Sequence, residues 1–187
     1  CRIRRGDPAG PQVIAGLTTH PDARFAGWAW RLLGEAALLT ERPFDAVASL
    51  LNAVAENQRG KDGYHEAGTR VLLLLAFSRA GHLEDADRLS FRYGAPSDAP
   101  QGLLGIRFLL ARAEHEHRSG RIGEALGTLE VAETRLGATS GLGVLRRELL
   151  TIRAGCLDDW CQLDEADRLR AKAGKLPLPA HLATSAN

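Results

Sequence analysis

The chain has 187 residues, 44% of them hydrophobic and 25% charged, with a net charge of +1 at pH 7. That length holds one domain with a real core or one short solenoid, and the composition excludes long disorder. The balanced charge gives no general pull toward nucleic acid, and the sparse 5% aromatic content argues against stacking platforms for bases.

Residues 1–22 contain one short apolar stretch, Val13 to Leu17, read as a capping helix over the first helical pair. From residue 23 the apolar residues recur at three- and four-residue intervals, which predicts helices over 23–40 and 43–57, 65–80 and 83–94, 104–118 and 121–137, and 144–158 and 161–174. Short breaks such as Glu41-Arg42-Pro43 and Ser119-Gly120-Arg121 join the members of each pair. Longer breaks rich in turn formers, such as Gly94 to Pro100 and Gly137 to Gly143, separate the pairs. No segment alternates apolar and polar residues as a strand would. The Pro-containing tail, 175–187, reads as a linker or frayed end.

The pairs share a period. Ala46, Ala86, Ala125 and Ala166 are 39 to 41 residues apart, and seven residues after each stands Ala53, Tyr93, Ala132 or Ala173. A bulky apolar residue, Phe44, Leu83, Ile122 or Leu163, precedes each alanine. Such a period marks stacked helical repeats. The expected fold is all-α, a right-handed α-solenoid of about four antiparallel hairpins. The repeat region is 23–174, with units at about 23–63, 64–103, 104–143 and 144–174.

Trp30, Leu33, Gly34 and Ala37, followed by Ala46, Leu50 and Ala53, resemble the tetratricopeptide repeat pattern, with Ala37 replacing its final Tyr. In the third unit Ala113, Ala125, Leu129 and Ala132 fit, while Arg112 stands where the family has Leu. In the fourth, Leu150, Ala154, Leu157, Ala166 and Ala173 fit, and Arg153 and Arg170 depart. In the second, Leu74 replaces the small residue and Ser90 the large one. The resemblance implies paired helices packed closely through small residues, around a surface that holds a peptide or protein. The longer period of about 40 is similar to that of the helical sensor domains of maltose-regulator-like signal-transduction ATPases and to activator domains of antibiotic regulators. The P-loop and the DNA-reading helix-turn-helix typical of those proteins do not occur in this sequence.

Few residues suggest chemistry. In Ala113-Glu114-His115-Glu116-His117 the histidines are two apart and point to opposite helix faces, whereas metal-binding helices place ligands four apart, so a solvated helix face is expected. The acidic pairs Glu84-Asp85 and Asp164-Glu165, with Glu124, fall in first helical turns, where they offset the helix dipole. Asp158-Asp159 is likewise not read as an acid–base pair. Arg5-Gly6-Asp7 spells an integrin-binding tripeptide, read as chance. No nucleotide-binding or nucleophile motif occurs, and no catalytic residue, metal or cofactor is expected. Cysteines at 1, 156 and 161 form no disulfide pattern, which suggests a reducing cytoplasm. Cys156 and Cys161 are expected to pack as small apolar residues.

The longest apolar stretch, Val71 to Phe77, is far short of the ~20 residues that span a bilayer. Lysine occurs only at 61, 172 and 175, so 21 of the 24 basic residues are arginine, a bias that points to a GC-rich bacterial source. A chain that starts at Cys1 and contains no Met is expected to be processed or cut from a longer protein, whose other domains would be partners.

The first helices of the pairs are expected to line an inner curve, which places Trp28, Arg31, Glu35, Arg107, Glu114, His117, Arg118, Glu148 and Asp158 toward a ligand. Trp28 stands out, because a large aromatic on a solvated face is a typical binding hot spot; its alternative is packing under the N-terminal segment. The expected function is a non-enzymatic protein- or peptide-binding sensor module of a bacterial regulatory protein, without direct nucleic-acid contact. The alternatives are a small-molecule effector domain and an enzyme with an unfamiliar helical site.

Overall fold

The computed structural model describes residues 10–137 and 142–177. These form nine α-helices: α1 Gly10–Ala15, α2 Ala23–Leu39, α3 Pro43–Arg59, α4 Gly63–Ala80, α5 Leu83–Phe91, α6 Gly102–Arg118, α7 Ile122–Leu136, α8 Gly143–Asp159 and α9 Leu163–Gly174. One 3-10 turn, Pro96–Asp98, precedes α6, and no strand occurs among the described residues. Nor is any of their helices long and apolar enough to cross a membrane.

The described residues divide into two compact units, one reaching Ala86 and the other starting at Asp87. In the first, α2 packs on α3, α3 on α4, and α2 touches α4. In the second, α6 packs on α7, α7 on α8 and α8 on α9, and α6 touches α8. The apolar stretch Val13 to Leu17 overlaps the short helix α1. It lays Ile14 against Ala29 and Leu32 of α2, with Leu17 and Leu33 completing the cluster.

Helix starts and stops follow local chemistry. Asp22 caps α2 by accepting from the Arg24 amide at 2.9 Å, and Asp62 caps α4 by accepting from the His65 amide at 3.2 Å. Pro43 opens α3, where its missing N–H costs nothing. Five helices end in one motif: a residue at positive φ, Glu41, Lys61, Gly81, Gly120 or Cys161, follows the last turn. The next amide then bonds back to a carbonyl five residues earlier: Arg42 to Ala37, Asp62 to Asn57, His82 to Phe77, Arg121 to Glu116 and Gln162 to Leu157, each at 2.9 Å.

α5 ends at Phe91, short of the expected 94. Tyr93 and Gly94 turn back onto the last turn of α5, and Gly94 adopts a φ of 73°. Tyr93 therefore meets the core from a loop, its ring stacked 4.5 Å from Phe108.

The small residues that set the period lie at helix contacts. Ala46, Ala53, Ala86, Ala125, Ala132 and Ala166 are fully buried, as are Leu50 and Leu129 between them. Burying each of those leucines contributes about 1.5–3 kcal/mol. Phe44 and Leu163, which precede two of the alanines, stay mostly exposed in first helical turns.

The departures from the repeat pattern are accommodated. Leu74 is buried where a small residue was expected. Arg112 bonds Glu116, Arg153 bonds Glu133, and Arg170 pairs with Asp158 and Asp167.

At Gly34 a β-carbon would lie 2.5 Å from Cγ of Leu50, which has no room to yield. Gly127, inside α7, has nothing within 4 Å of that position. Gly34→Ala should therefore destabilise by about 1–3 kcal/mol, and Gly127→Ala should stabilise by about 0.5–1 kcal/mol. Urea unfolding followed by circular dichroism checks both signs; equal midpoints for the two variants would contradict the packing of α2 on α3.

Candidate functional site

The nine residues expected to face a ligand fall three on the first unit and six on the second. On α2, Trp28 is 42% exposed. One turn on, Arg31 donates from Nε to Glu35 at 3.1 Å, so two of the three predicted residues bind each other. The terminal amino groups of Arg31 lie over Gly68 of α4, where a β-carbon would stand 3.3 Å from Nη1.

Gly27 abuts Asn57 of α3, and Asn57 donates to Thr69 of α4 at 3.1 Å, which places α2 and α4 alongside one another. Both run antiparallel to α3 and thus share one direction. One turn before Arg31 is Trp28, and one turn before Gly68 is Tyr64, which is 78% exposed. Each of the two helices thus carries an exposed aromatic one turn before the contact of Arg31 with Gly68. Tyr64 is absent from the expected set, because the sequence does not reveal that Arg31 crosses to α4.

On the second unit Arg107 is exposed on α6, without a hydrogen bond or ion pair among the described residues. The others are more engaged. Arg118 donates to Glu114 at 3.1 Å, and His117 meets Asp159 of α8 at 2.8 Å, its ring lying against Gly155. Asp158 pairs with Arg170 of α9, and Glu148 is half-buried on α8. His117 thus ties α6 to α8.

The expected solvated face around His115 is corrected by the structure. Glu114 is 8% exposed, Glu116 2% and His115 fully buried. Glu116 accepts from Arg112 Nε and from Thr128 Oγ1, both at 2.7 Å. His115 Nε2 lies 2.8 Å from Oδ1 of Asp87 and 3.0 Å from Nη2 of Arg121, which itself donates to Asp87 at 2.8 Å. The single Nε2 position can donate to the carboxylate or accept from the guanidinium, not both. His115 Nδ1 is buried without a partner among the described residues. Burial works to raise the Asp87 pKa, but the hydrogen bonds from Arg121 and His115 outweigh it and hold the carboxyl below the ordinary value of 3.8. The bond to Asp87 raises the Arg121 pKa in turn. Asp87 and Arg121 stand 28 and 6 residues from His115. No local spacing rule exposes such a cluster, although the i, i+4 pair Arg112 and Glu116 was a visible hint.

Beside this cluster an open groove of about 630 Å³ runs between the end of α5, α6 and the start of α7. A second open groove, of about 370 Å³, lies at the start of α9 beside Cys161. Cys161 is exposed at a φ of 58°, against the expectation of apolar packing, because it closes the helical turn between α8 and α9. Cys156 is buried, and burial followed by the nearby Asp159 carboxylate pushes its thiol pKa up to about 11. No group of three or more His, Cys, Asp or Glu suited to a metal ion occurs among the described residues. The chain matches no protein-family model, no curated protein and no solved structure.

Two outcomes are expected from the ionisable groups. At pH 8 iodoacetamide should label Cys161 and leave Cys156 untouched until the protein is unfolded, as read by peptide mass spectrometry. The depressed Asp87 pKa favours the folded state above the ordinary 3.8, and that contribution disappears as pH falls through the lower folded value. Asp87 is half exposed, so Asp87→Asn should cost no more than about 1 kcal/mol near neutrality. Urea melts should show that cost shrinking as pH falls below 3.8 and vanishing once Asp87 is protonated in the folded state.

Proposed function

We propose that the chain is a non-enzymatic helical-repeat module that holds a protein or peptide segment, within a cytoplasmic bacterial regulatory protein. In this reading the hairpins stack as a right-handed, tetratricopeptide-like solenoid. In the first unit α2 packs on α3 and touches α4, and in the second α6 packs on α7 and touches α8, the contact order that stacked hairpins produce.

The observation that carries the binding assignment is the α2–α4 seam. A folded chain gains from covering aromatic surface, yet Trp28 and Tyr64, each one turn before the contact of Arg31 with Gly68 on its own helix, stay out of the core. Exposed aromatics with an adjacent guanidinium are the residue types enriched at binding hot spots. Both described grooves are open, which suits an extended segment better than an enclosed small effector.

A peptide array probed with the labelled protein would supply a ligand for anisotropy titrations. Trp28→Ala should weaken binding by about 1–2 kcal/mol with unchanged melting temperature. Full affinity in that variant would remove the site from this face.

A further inference from the structure

The groove bounded by α5, α6 and α7 has a charge arrangement that the α2–α4 seam lacks. Four arginines line it: Arg88 and Arg92 at the end of α5, Arg112 on α6 and Arg121 at the entry to α7. Against them stand Asp87, Glu116 and Glu124. These carboxylates are not equivalent. The Glu116 side chain is only 3% exposed, and its oxygens are taken by Arg112 and Thr128. Asp87 accepts from Arg121 and lies at hydrogen-bonding distance from His115. Glu124 lies 3.5 Å from Arg121 Nε.

The consequence is that Arg112 and Arg121 are held in place from beneath. Arg112 is fixed further by its bond to the carbonyl of Gly94. Guanidiniums anchored through one edge keep donors for a second partner and lose little freedom on binding it. Arg92, exposed at the rim, has no hydrogen bond or ion pair among the described residues. Next to it Phe91 is 88% exposed, the highest value among the large apolar residues described. Phe91 is the last residue of α5 and lines the groove.

We propose that this groove is a docking site for an acidic peptide segment, whose carboxylates pair with Arg92, Arg112 and Arg121 and one apolar side chain of which covers Phe91. The inference rests on the reading of the chain as a peptide-binding module, and it adds a second surface of defined chemistry. The open shape selects an extended chain over an enclosed nucleotide, and the apolar ring distinguishes the site from a plain phosphate cradle. Carboxylate pairing with anchored guanidiniums gives specificity for acidic side chains over their amides.

The probe is a short fluorescein-labelled peptide of repeated Glu-Glu-Leu triplets, with a Gln-Gln-Leu peptide of equal length as control. Anisotropy at low salt should show binding of the acidic peptide, at least tenfold weaker binding of the control, and loss of affinity with added salt. Arg92→Glu and Phe91→Ser alter exposed side chains and should melt like the parent, yet each should weaken the acidic peptide about tenfold. Trp28→Ala should leave it unchanged. Equal affinity for both peptides, full affinity in both groove variants, or complete competition by ATP would overturn the proposal. Loss of binding in Trp28→Ala alone would also overturn it while leaving the α2–α4 assignment standing.

Discussion

The structure depends on how closely its helices approach. Two helices meet within van der Waals distance only where one side offers no bulk, and here alanine or glycine takes that place at the contacts. Gly27 faces Asn57, and Gly34 faces Leu50. The fully buried alanines at 46, 53, 125, 132 and 166 line the helix interfaces, with Leu50 and Leu129 filling the spaces beside them. A larger side chain at any of these positions would push a helix outward and open voids along its whole length. At the seam between α2 and α4 the guanidinium of Arg31 lies over Gly68, where an added β-carbon would stand 3.3 Å from Nη1.

Small residues at a regular period are visible in a sequence, and so the helices were legible almost to the residue. Turn chemistry was legible only in part. Gly81 and Gly120 announce left-handed backbone, but Glu41, Lys61 and Cys161 adopt the same conformation at the same point of their turns. For a residue with a β-carbon that conformation costs roughly 1–2 kcal/mol. It is tolerated because the backbone bond from the next amide closes each helix end. The exposure of Cys161 results from that role and not from any property of the thiol. No composition rule marks a cysteine as a turn residue.

The candidate site was legible in still smaller part. Trp28 and Arg107 were placed toward a ligand by the register of the first helices, and both are exposed. Glu114, His117 and Asp158 met the same criterion, yet each has a partner on its own or a neighbouring helix. Periodicity tells which face a residue occupies, but not whether an opposite charge from a distant segment already waits there. The buried Glu116 and His115 show the limit most clearly. Charged and polar residues at helical spacing read as a solvated face, because the desolvation cost of burying them is several kcal/mol per ion unless partners offset it. Those partners, Arg112, Thr128, Asp87 and Arg121, come together only in the folded unit.

The buried polar pairs occupy equivalent places. Asn57 lies four residues before the left-handed Lys61 and bonds Thr69, eight residues after it. Glu116 lies four residues before the left-handed Gly120 and bonds Thr128, eight after it. At the corresponding positions around Cys161 stand Leu157 and Leu169, both in one apolar cluster with Ala154 and Ala166. The same geometric slot, one helical turn inside the last helix and two turns into the next, is thus filled by a hydrogen bond in two hairpins and by hydrocarbon in another. Leucines can slide past each other at small cost, whereas a buried carboxylate or amide loses its partner on the facing helix if the helices shift by one residue. The polar pairs therefore penalise alternative registers in a chain whose alanine-lined interfaces would otherwise accept several. They also fix the last turn of α6, and with it Arg112, at the edge of the arginine groove. Register control and the rigidity of the groove wall are in this sense one interaction.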